Sequence, residues 1–159
     1  MGVSGCGKTT VGELLAKKLG RPFYDGDDFH PAANVAKMAA GHPLTDADRA
    51  GWLATLATKI GEWEQAAGAV LACSALKEAY RQTLQGGAHA PLHWVFLDGD
   101  PAVLYARLEG RHDHYMKAGM LDSQLATLEK PTYGLRIDID STPENQVAEI
   151  VKQLDLEKP

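Results

Sequence analysis

The chain has 159 residues, 45% of them apolar and 23% charged, with a formal net charge of −5. That length and balance fit one soluble globular domain, residues 1–159, with a sizeable core, and an acidic chain without a basic stripe argues against a nucleic-acid partner. No apolar run is long enough to span a membrane, no signal peptide is visible, and Cys6 and Cys73 read as unpaired thiols in a reducing, cytoplasmic setting.

The chain opens on a phosphate-binding loop. Gly2-Val3-Ser4-Gly5-Cys6-Gly7-Lys8-Thr9 fits G-x-x-x-x-G-K-[ST] at every fixed position. Its glycines allow positive φ and bring backbone N–H groups close to phosphate oxygens. Lys8 is expected on the β- and γ-phosphates and the Thr9 hydroxyl on Mg²⁺. Thr10 continues the loop into a helix, TTVGELLAKKLG, whose positive end serves the same anion and whose C-terminal stop is Gly20. Without that helix the motif would be only a glycine-rich turn. Cys6, beside the helix N-terminus and Lys8, sits where a thiol pKa tends to fall, so alkylation there is expected to block activity.

Pro22–Asp25 reads as a short strand running into DGDDFHP. Alternation along an extended segment would point Asp25 and Asp27 to the same side. One would hold a Mg²⁺-bound water and the other would take a proton from an acceptor hydroxyl. Asp27, facing the phosphate loop, is the candidate base and Asp25 the candidate metal ligand. An acidic turn alone would explain the same residues; the phosphate loop tips the balance.

A short helix follows, closed by Gly41 and Pro43. The next is longer, with Thr45 and Asp48 as a capping box and a stripe of Trp52, Leu53, Leu56, Ile60 and Trp63 facing the core. AVLAC (69–73) reads as a strand buried on both faces. SALKEAYRQTLQGG is a helix, LHWVFLDGD a strand, and PAVLYARLEGR a helix with Pro101 at its start. Arg107 and Arg111 share one face of that helix. They lead into the polar HDHYMKAG, a candidate lid, where they would neutralise a transferring phosphoryl group; a solvated basic face is the plain alternative. His112 and His114 lack cysteine partners and are poor metal ligands. MLDSQLATLEKP is a helix, LRIDID an edge-side strand, and PENQVAEIVKQL the closing helix. Alternating strands and helices predict a parallel α/β sheet with helices on both faces, ligands binding at the strands' carboxyl ends.

Three stretches, DGDDFHPAANVAKMAAGHPLTDADRAGWL (25–53), VLACSALKEAYRQTL (70–84) and RLEGRHDHYM…LDSQLATLEKP (107–131), resemble the gluconokinase family of phosphate-loop carbohydrate kinases. The resemblance covers nearly the whole chain, in order. It implies ATP- and Mg²⁺-dependent phosphorylation of D-gluconate to 6-phosphogluconate. It also implies a three-layer α/β/α fold with a five-stranded parallel sheet of order 2-3-1-4-5, a substrate-binding segment at about 31–66, a lid at about 111–130, and a homodimer. By position, Asp27, His30, Asn34 and Arg49 fall in the substrate segment, Lys77 in the CSALK motif, and Arg107 and Arg111 in the lid, Arg107 beside the nucleotide and Arg111 as a catalytic group. Gluconate carries a carboxylate, for which Arg49 and Lys77 are the candidate partners.

Three features depart from the family pattern. Gly51 replaces a proline before Trp52, loosening that helix start. HDHYM replaces a Gly-His-Phe pattern in the lid. Only Met1 stands where an apolar strand precedes the loop; either Met1 is an internal methionine of a longer frame or the chain has been trimmed. The first, central strand is therefore expected as a stub at Met1–Val3.

Overall fold

The computed structural model describes residues 1–110 and 118–156. Its strands pair in parallel, β1 (Phe23–Asp25) with β2 (Val70–Ala72) and β3 (Val95–Asp98) with β4 (Leu135–Asp138). The helices are α1 (Lys8–Leu19), α2 (Ala32–Ala39), α3 (Asp46–Gln65), α4 (Glu78–Gln85), α5 (Pro101–Glu109), α6 (Ala118–Thr127) and α7 (Pro143–Gln153). No helix among the described residues is long and apolar enough to cross a membrane.

Among the described residues the parallel strands form two two-stranded sheets, and the break falls where the first strand of the expected five-stranded order is largely missing. A stub lies between them. The Met1 amine donates to the Val95 carbonyl at 2.6 Å, and Leu97 N donates to the Met1 carbonyl at 3.0 Å. Gly2 N donates to the Ser74 carbonyl, just past β2, at 3.3 Å. The spatial order β1, β2, stub, β3, β4 is the anticipated 2-3-1-4-5 arrangement. So short a stub makes too few ladder bonds to join the two pairs into one sheet.

Local chemistry explains most element boundaries. Gly20, at φ 64°, ends α1 in the left-handed conformation, and Arg21 N reaches back to the Ala16 carbonyl. Thr45 Oγ1 accepts from Asp48 N while Asp48 Oδ2 accepts from Thr45 N, so the capping box of α3 is complete. Pro101 and Pro143 occupy the first turns of α5 and α7, behind the side-chain caps Asp100 and Thr142. In β4, Leu135 and Ile137 are buried while Arg136 and Asp138 are exposed, the alternation visible in LRIDID.

Three expectations need correction. Val70 and Leu71 are only half-buried, because they face an apolar cavity rather than a filled core. The helix expected from Ser74 begins only at Glu78. Ala75 there has φ 45°, and the Ala75 and Leu76 carbonyls accept from Arg81 Nη1 at 2.8 and 3.4 Å instead of entering a helix. Gly51 lies inside α3, a turn past its start, so the capped N-terminus is untouched by it.

Candidate active site

The phosphate loop sits where expected, between the stub and α1. Gly5 and Gly7 have φ 84° and 95°, a region that a Cβ disfavours. Gly7 is the N-cap of α1, and no side chain caps the helix. Its first-turn N–H groups are therefore left for an anion, which is what a triphosphate needs. Lys8 Nζ donates to the Val3 carbonyl at 3.0 Å, folding the loop around its own lysine. Thr10 is exposed on the first turn of the helix.

Val3, Ser4 and Cys6 are buried. Cys6 Sγ lies 3.9 Å from Lys8 Nζ, and a Cβ on Gly2 would come within 2.8 Å of it. The thiol packs inward at 1% exposure, so its burial opposes the expected alkylation.

Thr9 Oγ1 donates to Asp25 Oδ2 at 3.0 Å, and Asp25 Oδ1 accepts from Asp27 N at 3.0 Å. The two proposed metal-site residues are thus in contact. Asp27 is not placed by strand alternation. The chain turns into a 3₁₀ segment (Gly26–Phe29) directly after Asp25, and that turn carries Asp27 to the cleft.

A small cleft, about 40 Å³, opens beside the loop. Ser4, Lys8, Asp27, His30, Arg49 and Trp52 line it, with Met120, Ser123 and Gln124 opposite. His30 stacks on Trp52 at 4.1 Å between ring centroids, and Trp52 Nε1 donates to the Gly26 carbonyl at 2.7 Å. The tryptophan read as core thus also fixes the floor of the cleft. Burial, and then the Arg49 charge, pushes the His30 pKa down to about 4. His30 is therefore neutral near pH 7, and its 3.9 Å approach to Asp27 is not an ion pair there.

Asn34 stands behind the cleft. Its Nδ2 donates to the Asp48 carbonyl at 2.8 Å and lies 3.3 Å from His30 Nδ1. Lys77 lies outside the cleft lining, bonded to Asp46 at 3.1 Å. Tyr80 joins the same group. Its hydroxyl donates to Asp46 and accepts from Arg49 Nη1 at 3.1 Å, and the Arg49 guanidinium lies 5.4 Å from its ring centre. The bond from Tyr80, followed by that from Lys77, lowers the Asp46 pKa.

Arg107 reaches the loop directly, donating to the Gly5 carbonyl at 3.3 Å and the Ile139 carbonyl at 2.8 Å. Arg111 and the histidines of HDHYM lie outside the described residues, as does the part of the expected lid at 111–117. Among the described residues no cluster of three His, Cys, Asp or Glu side chains suits a metal.

Sequence reasoning did not single out Gln124, whose Oε1 accepts from Ser4 N at 2.7 Å. The signal was available: Met120, Ser123 and Gln124 are spaced i, i+3, i+4 and so share one helical face. It also missed Asp46 and Tyr80, whose association crosses two helices and carries no local pattern.

The shikimate kinase family profile matches residues 4–155. A gluconokinase of Gluconobacter oxydans is 46% identical over 99% of this chain and 90% of its own length. The chain belongs to the gluconokinases, within the shikimate kinase family. Two solved structures agree with that membership. A sugar kinase from Janibacter superposes with a TM-score of 0.92 at 39% identity, over 98% of this chain and 92% of its own. A gluconokinase from Sinorhizobium meliloti gives 0.84 at 37%, over 100% and 95%. The superpositions extend over nearly all of both chains, so this chain shares its fold with those two structures.

Proposed function

We propose that this chain transfers the γ-phosphoryl group of ATP to the 6-hydroxyl of D-gluconate, giving ADP and 6-phospho-D-gluconate. The observation that carries the reading is the convergence of an uncapped phosphate loop with an acid, a neutral histidine and an arginine in one cleft. Membership of the gluconokinases supplies the substrate.

The loop amides and Lys8 hold the β- and γ-phosphates, with Arg107 bracing the loop through the Gly5 carbonyl. Mg²⁺, when bound with ATP, neutralises charge between those phosphates. Thr9 and Asp25, already in hydrogen-bond contact, are the residues that would hold it. Asp27 aligns the acceptor hydroxyl and takes its proton as the new P–O bond forms and the bond to ADP breaks. His30, being neutral, can both donate to and accept from a polyol without adding charge. Arg49 is the cleft's cation for the carboxylate. Lys77 can join it only by leaving Asp46. Arg111 is proposed as the cation that covers the transferring group from the lid.

The test is ADP release measured with gluconate, shikimate, glucose and AMP as acceptors. Gluconate should stimulate release far more than the others. Glucose lacks the carboxylate and would leave Arg49 without its partner. Equal rates with glucose would overturn the carboxylate assignment, and a preference for shikimate would move the chain to the other branch of its family.

A further inference from the structure

Arg49 lines the cleft, but what aims it lies behind the lining. Its Nη1 donates to the Tyr80 hydroxyl at 3.1 Å, and its guanidinium lies 5.4 Å from the Tyr80 ring centre. Among the described residues its side chain makes no other hydrogen bond and no ion pair.

Tyr80 is itself fixed. It is buried in the first turn of α4, and its hydroxyl donates to Asp46 on α3. Burial, followed by the bond to Asp46, raises its pKa, so the phenol keeps its proton at neutral pH. A phenol has one proton, and a carboxylate such as Asp46 can only accept it. Toward Arg49 the Tyr80 oxygen is therefore left as an acceptor.

Charge shows what this order achieves. Lys77 Nζ lies 3.1 Å from one Asp46 oxygen and 3.3 Å from the other, so Asp46 is balanced by Lys77. What meets the Arg49 guanidinium is a neutral phenol. A carboxylate in that place would orient Arg49 equally well but would cancel its charge. Among the described lining residues, Lys8 serves phosphate and His30 is neutral, which leaves Arg49 as the cation for the acceptor.

We infer that Tyr80 is a positioning residue that sets specificity: it aims Arg49 at the acceptor without cancelling its charge, and so selects polyols that bear one carboxylate. The inference rests on the reading of Arg49 as the carboxylate's partner.

The test is steady-state kinetics with gluconate and ATP–Mg²⁺ on the whole chain, for the wild type, Tyr80→Phe, Arg49→Ala and the double variant. Tyr80→Phe keeps the ring and its packing and removes only the hydroxyl. It should raise the gluconate KM by about tenfold or more, the worth of a hydrogen bond to a charged group. Its kcat and ATP KM should stay within about twofold of wild type, the pattern of lost ground-state binding. Arg49→Ala should raise the gluconate KM as well. In that background Tyr80→Phe should change kcat/KM by less than about twofold, because it acts through a side chain no longer there. A tyrosine that only supports packing would lower kcat/KM equally in both backgrounds, and that result would overturn the inference. So would an unchanged gluconate KM in Tyr80→Phe, whether or not Arg49→Ala folds. An unchanged gluconate KM in a folded Arg49→Ala would instead overturn the carboxylate reading of Arg49, and this inference with it. Wild type without gluconate-dependent ADP release would do the same by removing the substrate.

Discussion

Thr9 and Asp25 are joined by a 3.0 Å hydrogen bond from hydroxyl to carboxylate, linking the first turn of α1 to the end of β1. Residues 16 apart in sequence thus present two oxygen groups at the mouth of the phosphate loop, the hard donors that Mg²⁺ prefers. Asp25 also accepts from Asp27 N, so it fixes the 3₁₀ turn.

Asp25→Asn keeps that turn's acceptor but removes the charge that would attract Mg²⁺. The Mg²⁺ concentration for half-maximal turnover should rise by about tenfold or more, an effect of order 1.4 kcal/mol. Titration of turnover with Mg²⁺ at saturating ATP and gluconate checks this. An unchanged midpoint would remove Asp25 from the metal site.

His30 predicts a specific dependence of stability on pH. Its pKa is about 4 folded and 6.5 when unperturbed, so between those values the unfolded chain binds the extra proton. Stability from this group is fully present above pH 6.5 and is lost as pH falls toward 4. The slope is at most about 1.4 kcal/mol per pH unit. Urea unfolding midpoints measured from pH 7 to 4 should fall more steeply for the wild type than for His30→Phe, which retains a ring to stack on Trp52. Parallel curves would show that the histidine is not held neutral.

Much of this arrangement is legible in the sequence because it is local. The phosphate loop is one contiguous motif, Gly20 stops α1, and Thr45 with Asp48 announces α3. The stub's central place followed from the loop's position and the family resemblance. What escaped depends on distant partners. Asp46, Lys77 and Tyr80 meet only once α3 and α4 pack together. The 74–77 segment, with fair helical composition, stays outside α4 because Ala75 is left-handed and Arg81 takes two of its carbonyls. Trp52 carries the same 3.6-residue signal whether it fills a core or floors a cleft. Periodicity reports burial, not what the buried ring touches.

Arg81 is the strongest structural candidate that composition hides. It is 2% exposed, yet its guanidinium donates to the Ala75, Leu76 and Glu129 carbonyls, the Glu78 carboxylate and the Tyr133 hydroxyl. It ties the CSALK segment to the chain following α6. Arg81→Ala removes the side-chain donor to the Ala75 and Glu129 carbonyls, while Leu76 keeps its bond from Glu129 N at 2.8 Å, and should cost about 3–5 kcal/mol. Denaturant unfolding measures this directly. A loss under about 1 kcal/mol, the range of an exposed pair, would mean that water replaces the guanidinium at low cost.

Asp27 carries the chemical step in the proposed reaction, and its variant separates chemistry from binding. It lines the cleft with Lys8, and the 3₁₀ turn that places it is held by Asp25. Asp27→Asn keeps the size and most hydrogen bonding but cannot accept a proton. It should lower kcat by roughly 10²–10⁴-fold, the usual worth of a general base. ATP affinity should barely change, because the loop amides, Lys8 and Thr9 are untouched. Lys8→Ala should instead weaken ATP binding and turnover together, since its ammonium would serve the phosphates in both ground and transition states. Steady-state kinetics and ATP titration on the two variants distinguish these patterns. A near-normal kcat for Asp27→Asn would make the residue a positioning group and move the base to Asp25, whose carboxylate is 3.0 Å from the Asp27 amide.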